Sequence, residues 1–299
     1  MTIKKFKGVV VPMITPLNPD FSIDEPAVAR IMKSFSDNEI HPLILGTTGE
    51  SSSIGEKASL TFVKAAIKTK GPNQLVYAGL VGNQVETLLE RGNQYLSLGA
   101  DAIVATLPSY YTLTPKQMYT FYITLADKLR GPLIIYNIKA TTQMTIPVEI
   151  VEKLSQHSNI FGLKDSERDF ERMKYCIDRF HMREDFSYFC GWGAQSVGSL
   201  SLGADGIVPS TGNIVPEWYK KLYVATCKGD FETAIQFQKS TDQVASLYQK
   251  DRTLGQSLAA LKVMMHSVEL CMTTMMPPLT ELSIEESDTL LEHFKAFKN

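Results

Sequence analysis

The sequence predicts an α/β fold, a (β/α)₈ (TIM) barrel with a C-terminal helical extension. Short apolar, β-branched segments alternate with longer segments of helical period, which is typical of βαβ units and a parallel sheet. Eight short segments occur, the number that closes such a barrel. LGADAIV at 98–104 recurs as LGADGIV at 202–208, each time joining a helix end, a glycine turn and a strand. No G-x-G-x-x-G follows the first strand, which disfavours a doubly wound nucleotide-binding sheet.

The predicted strands follow one another from the N-terminus to Pro209. They are Gly8–Met13, Leu43–Gly46, Leu75–Leu80, Ala102–Thr106, Pro132–Tyr136, Ile160–Lys164, Phe186–Cys190 and Gly206–Pro209. After Pro216 the pattern becomes helical, with a last interruption at Pro277 and Pro278. The predicted helices there are Pro216–Cys227, Phe231–Gln249, Leu254–Met272 and Ile284–Lys298. We expect residues 1–225 to form the barrel that carries the active site, and residues 226–299 to pack on it as one structural unit.

Composition and charge favour some classes of function over others. The 299 residues are 44% hydrophobic and 21% charged, with a formal net charge of −2, as in an ordinary globular protein. The chain has no run of lysine and arginine, which argues against nucleic acid or an anionic membrane and favours a small polar ligand. The apolar stretch near the N-terminus is short and interrupted by Pro12 and Pro16, so we expect neither a signal peptide nor a membrane span. The scattered cysteines and histidines indicate a cytoplasmic protein with reduced thiols and no metal site.

The segment IFGLKD places a lysine at the end of a buried strand. Because strand side chains alternate between two faces, we expect Ile160 and Lys164 to face the barrel axis and Phe161 and Leu163 to meet the helices. Lys164 would then lie at the C-terminal end of the barrel, where barrel enzymes have their active sites. A lysine removed from water is suited to form a Schiff base with a carbonyl. The alternative is a lysine that extends to solvent or pairs with Asp165.

Two other segments place polar side chains at the same end of the barrel. In PLIIYN, Tyr136 is expected to point inward, and a phenol beside an imine-forming lysine can relay protons. The loop GTTGE at 46–50 offers glycines, two hydroxyls and a following helix, a combination that suits an anion such as a carboxylate. Taken singly, the tyrosine could be structural and the loop a helix cap. Their occurrence together with Lys164 favours the functional interpretation.

GTTGE after the second strand, YN at the end of the fifth and GLKD at the end of the sixth together resemble the dihydrodipicolinate synthase and N-acetylneuraminate lyase family. The 28 positions from Tyr136 to Lys164 fit the family's pattern, and the resemblance extends over essentially the whole chain. It implies a Schiff-base lyase on a (β/α)₈ barrel. It also implies that no metal or organic cofactor is needed beyond the covalent Schiff base of the substrate on Lys164.

The resemblance implies roles for individual residues. Lys164 matches the Schiff-base lysine, and Tyr136 matches the tyrosine that relays protons. In LPSYY, Tyr110 or Tyr111 is expected to reach the site of a neighbouring subunit in a homotetramer built as a dimer of dimers. The predicted catalytic residues are Lys164, Tyr136, Thr48, Tyr110 and Tyr111. The predicted substrate-binding residues are Gly46, Thr47, Thr48, Gly49, Thr141, Gly191 and Ser210.

Two segments depart from the family's patterns. Synthases of the lysine pathway read Y-N-x-P-x-R-T-G, whereas this chain reads YNIKATTQ, so Thr141 stands where an arginine binds the carboxylate of the aldehyde. Lys139 is an alternative point charge nearby. Sialic acid lyases carry an acidic pair after the seventh strand, where this chain has Gly193 and Ala194. The half of the site that binds pyruvate is therefore retained, and the half that binds the second substrate is changed.

These residues predict an aldolase or lyase that cleaves or forms a 2-oxo acid, from pyruvate and an aldehyde, through an imine on Lys164. A 2-keto-3-deoxy sugar acid is the preferred class of substrate. The alternatives are a dehydratase of a related 2-keto-3-deoxy acid, dihydrodipicolinate synthase, and a non-catalytic sensor that binds an oxo acid. The identity of the aldehyde and the choice between cleavage, condensation and dehydration stay open.

Overall fold

The computed structural model describes residues 4–298, with the side chains of residues 4–297. Eight parallel strands form a closed barrel in the order of the sequence, so the predicted α/β barrel with its helical extension is confirmed. The strands are β1 (Gly8–Pro12), β2 (His41–Ile44), β3 (Tyr77–Leu80), β4 (Ala102–Thr106), β5 (Leu133–Asn137), β6 (Ile160–Asp165), β7 (Ser187–Cys190) and β8 (Gly206–Ile207).

Twelve α-helices surround or follow the strands within the described residues. Those of the barrel region are α1 (Glu25–Asp37), α2 (Glu56–Thr69), α3 (Val85–Ser97), α4 (Pro115–Lys128), α5 (Lys139–Thr142), α6 (Val148–Leu154), α7 (Phe170–Phe180) and α8 (Ser196–Ser201). Those that follow β8 are α9 (Pro216–Cys227), α10 (Phe231–Gln249), α11 (Leu254–His266) and α12 (Ile284–Lys298). Within residues 4–298, no helix has the length and apolar character needed to cross a membrane.

Local sequence signals explain where several helices begin. Thr114 and Thr253 precede α4 and α11, and each threonine side chain accepts a hydrogen bond from the backbone N–H three residues later. The glutamines at those positions, Gln117 and Gln256, accept a hydrogen bond from the backbone N–H of the threonine in return. This reciprocal pattern satisfies donors that a helix start leaves without partners.

Most predicted elements differ from the observed ones only at their ends. The helix predicted to extend to Met272 ends at His266 instead. Glu269 adopts a left-handed backbone conformation (φ 62°), and its N–H donates to the carbonyl of His266, which turns the chain out of the helix. The predicted boundary between residues 225 and 226 falls inside α9, and the division into barrel and extension stays a prediction.

The start of β6 corrects one prediction about the faces of a strand. Leu133 of β5 pairs with Ile160, but the next residue of β5 pairs with Gly162, so Phe161 is an extra residue in β6. This bulge reverses the alternation at that point. Phe161 therefore packs edge-on against Phe6 in the apolar cluster inside the barrel, not against the helices. Ile160, which was predicted to face the barrel axis, lies instead in the cluster between the barrel and the helices. Beyond the bulge the alternation is regular again, and Leu163 is buried in the cluster between the barrel and the helices.

The helix α11 differs from the other helices because it is buried all around. Every residue from Ser257 to Met265 is buried, including the charged Lys262. A helix of this kind lies within a core and not on a surface. The helix contacts α10 and α12, and its Lys262 side chain contacts Glu50 in the loop after β2.

Candidate active site

Tyr136 and Lys164 lie side by side at the C-terminal ends of β5 and β6. The two residues pair directly in the parallel register, and each is only 4% exposed. The Nζ atom of Lys164 lies 3.7 Å from the centre of the Tyr136 ring. The amine is thus removed from bulk water and rests on the face of a phenol, as the inward direction of both residues predicts.

The environment of Tyr136 favours loss of its proton. Burial by itself raises the pKa of this phenol, but the charge of Lys164 and hydrogen bonds with Thr47, Ser166 and Lys164 outweigh burial. The resulting pKa of Tyr136 lies below the ordinary value for tyrosine. A phenol tuned in this way can accept and donate protons next to a reacting amine.

The carboxylate that follows Lys164 is directed elsewhere. Asp165 accepts a hydrogen bond from Nε of Arg172 at 2.7 Å and another from Nδ2 of Asn137 at 2.9 Å. Burial raises the pKa of Asp165, although Arg172 and Asn137 oppose that effect. Asp165 is therefore paired with Arg172, on the face of the sheet that points away from the axis, and the alternative of a Lys164–Asp165 pair is not observed.

The loop after β2 brings two threonines to the same end of the barrel. The hydroxyl of Thr47 lies 3.4 Å from the hydroxyl of Tyr136. Thr48 follows it and is buried. The structure therefore unites Thr47 with Tyr136 and Lys164, three residues that the sequence placed on three separate strands or loops.

The loop is shaped by more than its glycines. The left-handed conformations fall on Leu45 (φ 53°) and Glu50 (φ 57°), whereas Gly46 and Gly49 do not have positive φ. Gly49 is required for space, because a Cβ atom there would lie 3.0 Å from the carbonyl oxygen of Met13. A Cβ atom at Gly46 would make only ordinary contact at 3.5 Å, with the Leu43 side chain.

A cavity of about 500 Å³ borders Thr47, at one side of this group of residues. Thr47, Thr106 and Thr141 line one part of it, and Leu254 and Leu258 of α11 line another. Lys164 and Tyr136 are not among the described residues that line it, so the cavity joins the site through Thr47. Thr141, a predicted substrate-binding residue, therefore lines the same cavity as Thr47.

Ser166 is a member of the site that the motifs did not single out. Its hydroxyl hydrogen-bonds with Tyr136 and helps to lower the pKa of that phenol. Gly191, a predicted substrate-binding residue, lies beside it, since a Cβ atom at Gly191 would lie 2.1 Å from Oγ of Ser166. The sequence holds a signal for Ser166, because it stands two positions after Lys164 and strand alternation places both on one face.

Ser210 occupies a separate cluster of hydroxyls beyond the end of β8. Its Oγ atom lies 2.8 Å from the hydroxyl of Tyr248, on α10. Nε2 of Gln249 donates to the Tyr248 hydroxyl at 2.8 Å. The predicted role of Ser210 in binding substrate stays a prediction.

Tyr110 and Tyr111 project from the loop after β4. They are 77% and 73% exposed, and their rings meet edge to face at 4.9 Å. Oδ1 of Asn83 accepts hydrogen bonds from the backbone N–H groups of Ser109 and Tyr110 and holds this loop. The side chains face outward from their own chain, and the prediction that one of them completes a neighbouring site remains to be tested.

Comparisons with known sequences agree with these motifs. A model of the Dihydrodipicolinate synthetase family matches residues 5–297. The chain is 27% identical over 286 residues to an uncharacterized DapA-like lyase of Thermofilum pendens, across 94% of this chain and 95% of the relative. It is also 27% identical over 289 residues to a probable 2-dehydro-3-deoxy-D-pentonate aldolase of Escherichia coli, across 95% of each chain.

The solved structures include similar folds. The crystal structure of dihydrodipicolinate synthase from Aquifex aeolicus matches this structure with a TM-score of 0.89. The two chains are 27% identical, and the match covers 98% of each. The similarity includes the helices after β8, since so little of either chain lies outside it.

Proposed function

The chain belongs to the dihydrodipicolinate synthetase family, and we propose that it is a carbon–carbon lyase that forms an imine between Lys164 and the C2 carbonyl of a 2-oxo acid. The observation that carries the proposal is the buried Lys164 amine on the face of Tyr136, a phenol whose pKa is lowered. An amine held out of water beside a proton-transfer group is the arrangement that imine chemistry requires.

The reaction follows from the groups present. The neutral amine of Lys164 attacks C2 and passes a proton to the C2 oxygen, and Tyr136 supplies the second proton with which that oxygen leaves as water. The resulting iminium accepts the electron pair of the C3–C4 bond when that bond breaks, while the C4 hydroxyl gives its proton to the Tyr136 phenolate and becomes an aldehyde. Tyr136 then protonates the enamine at C3, and water attacks the iminium, returns one proton to Tyr136, releases pyruvate and restores Lys164. The iminium serves as the electron sink, so the proposal needs neither a metal ion nor an organic cofactor.

The loop after β2 is proposed to hold the carboxylate of the oxo acid. Thr47 contacts Tyr136, and Thr48 is buried beside it. Hydroxyl groups of this kind bind a carboxylate by donating hydrogen bonds. A carboxylate bound there would lie next to Tyr136, and its C2 atom would then be within reach of Lys164.

A 2-keto-3-deoxy sugar acid is the proposed class of substrate. Thr141 lines the cavity next to Thr47 and carries no charge, so at this position it suits a hydroxyl of the substrate better than a second carboxylate. Arg91 also lines the cavity, but its guanidinium donates to the hydroxyl of Tyr95. Lys139 is a poor replacement for an arginine, because its largely exposed ammonium lies 3.4 Å from Glu167 and Lys139 is not among the described residues that line the cavity. The Escherichia coli relative is named as a probable 2-dehydro-3-deoxy-D-pentonate aldolase, which is consistent with this choice.

The remaining features of the proposal concern assembly and location. We propose a homotetramer in which Tyr110 or Tyr111 of one subunit reaches the site of the next, since both side chains are largely exposed on the isolated chain. We also propose that the protein is cytoplasmic. Light scattering tests the tetramer, and mixed tetramers of Lys164→Ala and Tyr110→Phe or Tyr111→Phe subunits test which tyrosine crosses.

The proposal is tested by incubating the protein with a panel of 2-keto-3-deoxy sugar acids and measuring release of pyruvate. Release from at least one of them, abolished in Lys164→Ala, is the expected result. Loss of water without cleavage would indicate the dehydratase, and condensation of pyruvate with aspartate semialdehyde would indicate the synthase. If no substrate reacts and Lys164→Ala binds pyruvate as tightly as the parent, the protein is an oxo-acid sensor and the lyase proposal is wrong.

A further inference from the structure

A buried ion pair connects the loop after β2 to the helical extension. Oε1 of Glu50, the last residue of GTTGE, lies 2.6 Å from Nζ of Lys262 on α11, and the two side chains are 0% and 1% exposed. Both charged groups have second partners. Nζ of Lys262 donates to the carbonyl of Thr274 at 2.6 Å, and Oε2 of Glu50 accepts from the N–H of Met276 at 2.8 Å.

The stability of the fold does not by itself require charged residues at these two positions. Removing two charges from water is costly, and apolar residues of similar volume often replace a buried ion pair without loss of stability. Glu50 also has a left-handed backbone (φ 57°), a conformation that a residue with a side chain keeps only when its surroundings hold it. The ion pair supplies that constraint at the end of the loop.

The constraint reaches the site through the loop itself. The N–H of Glu50 donates to the carbonyl of Thr47 at 3.2 Å, and the hydroxyl of Thr47 lies 3.4 Å from that of Tyr136. From the β1 side, Oγ1 of Thr15 donates to the carbonyl of Gly49 at 2.6 Å. The loop is thus held from two directions, and α11 provides one of them.

We propose that Lys262 and Glu50 are positioning residues that fix Thr47 and Thr48 for the carboxylate of the oxo acid. The helical extension then contributes to the reaction through the loop after β2, although none of its residues is among those predicted to act on the substrate. This inference rests on the proposed imine chemistry, because it concerns the carboxylate of the same bound oxo acid. A small displacement of a substrate-positioning group can cost as much as about 100-fold in rate.

The test compares Lys262→Met with the double variant Glu50→Gln/Lys262→Met. Borohydride traps the imine at increasing pyruvate concentrations, which gives the half-saturating concentration, and thermal unfolding gives Tm. Lys262→Met leaves a buried carboxylate without its partner, so it is expected to lower Tm and to raise half-saturation by about 10- to 100-fold. The double variant removes that carboxylate charge as well, so Tm should recover while half-saturation stays raised.

The control is Lys4→Met, which breaks a partly buried pair with Asp205 near the N-terminal end of the strands, away from the loop. It should lower Tm and leave half-saturation within about twofold of the parent. A second readout is the pH dependence of trapping, since displacement of Thr47 removes a hydrogen bond that lowers the pKa of Tyr136. The titration attributed to Tyr136 should move to higher pH in the double variant, and Lys4→Met should leave it in place.

Recovery of both Tm and half-saturation in the double variant would overturn the inference, because the pair would then serve the fold alone. Unchanged half-saturation in Lys262→Met would also overturn it, and so would a double variant that fails to fold. If the parent itself forms no adduct with pyruvate, the proposed imine function is wrong and this inference falls with it. The parent and the variants therefore separate the two failures.

Discussion

The two faces of β5 and β6 use the same pair of strands for different purposes. On the inner face, the Lys164 amine contacts the ring of Tyr136, and that phenol has a lowered pKa. One residue further along, on the outer face, Asp165 accepts hydrogen bonds from Asn137, Arg172 and the N–H of Glu167. The outer carboxylate is thus saturated with partners, whereas the inner amine and phenol are directed at each other and at the loop after β2.

This difference indicates that the inner and outer faces of β5 and β6 have separate roles. The outer network fixes the ends of the strands, because it crosses from β5 to β6 and on to α7. Because the strand ends are fixed, Tyr136 and Lys164 on the inner face are held in position, and their side chains can exchange protons. Changes on the inner face should therefore remove chemistry and spare the fold, and changes on the outer face should do the reverse.

The largest effect is expected from Lys164→Met. Loss of the nucleophile should reduce turnover by at least about 10⁴-fold, because no neighbouring group replaces a covalent intermediate. Thermal stability should be unchanged or higher, since a buried charge is replaced by an apolar side chain. Steady-state kinetics and calorimetry measure both quantities. A variant that retains a tenth of the parent's activity would contradict the role of Lys164.

Tyr136→Phe is expected to have the next largest effect. The ring that contacts Lys164 remains, but the hydroxyl that transfers protons is lost, so kcat should fall by about 10²- to 10⁴-fold. Formation of the imine and turnover can be followed separately by rapid-quench trapping. Unimpaired turnover would show that another group transfers the proton. The buried Tyr122, whose hydroxyl donates to the carbonyl of Ala105, provides a control in Tyr122→Phe.

On the outer face, Asp165→Asn should act mainly on stability. The buried Arg172 loses its principal counter-ion, with Glu167 left as a more distant one at 3.8 Å, and the free energy of unfolding should fall by about 2–4 kcal/mol. Urea denaturation measures this loss. The exposed pair Glu39–Lys220 offers a control, since Glu39→Gln should cost less than about 1 kcal/mol. Loss of turnover in Asp165→Asn without a fall in the free energy of unfolding would contradict the separate roles of the two faces.

The smallest effect is expected from Thr47→Val. Its hydroxyl helps to lower the pKa of Tyr136, so its removal should raise that pKa and move the corresponding limb of the pH–rate profile to higher pH. At neutral pH kcat should fall about 3- to 10-fold through loss of the hydrogen bond to Tyr136, and half-saturation should rise as well, because the proposed donor to the substrate carboxylate is lost. Thr61→Val, at a threonine whose hydroxyl donates within α2, should leave the profile unchanged. A shift to lower pH in Thr47→Val would contradict the assigned contact.

The sequence predicts the barrel well because its signals are local. Apolar runs, helix caps and the repeated LGAD segments lie within a few residues of the elements they specify, and the inward positions of Tyr136 and Lys164 follow from alternation alone. The bulge at Phe161 was not predicted, because a bulge depends on how a strand pairs with its neighbour. The left-handed backbone of Leu45 and Glu50 was also not predicted, because glycine is the residue that usually adopts this conformation.

The contacts that complete the site are the least predictable. Glu50 and Lys262 are far apart in the sequence, and no local sequence pattern predicts that the two residues form an ion pair. Their pairing depends on how α11 packs against the loop, which is a property of the whole fold. Ser166 was within reach of sequence reasoning, because it shares the face of Lys164 beyond the strand end.

The most direct test of the central claim is to identify the lysine that reacts with the oxo acid. The protein is incubated with pyruvate, reduced with borohydride, digested and examined by mass spectrometry. We expect one three-carbon adduct, located on Lys164, and none in Lys164→Met. An unmodified Lys164 under conditions in which the protein turns over its substrate, or an adduct on another lysine, would contradict the account.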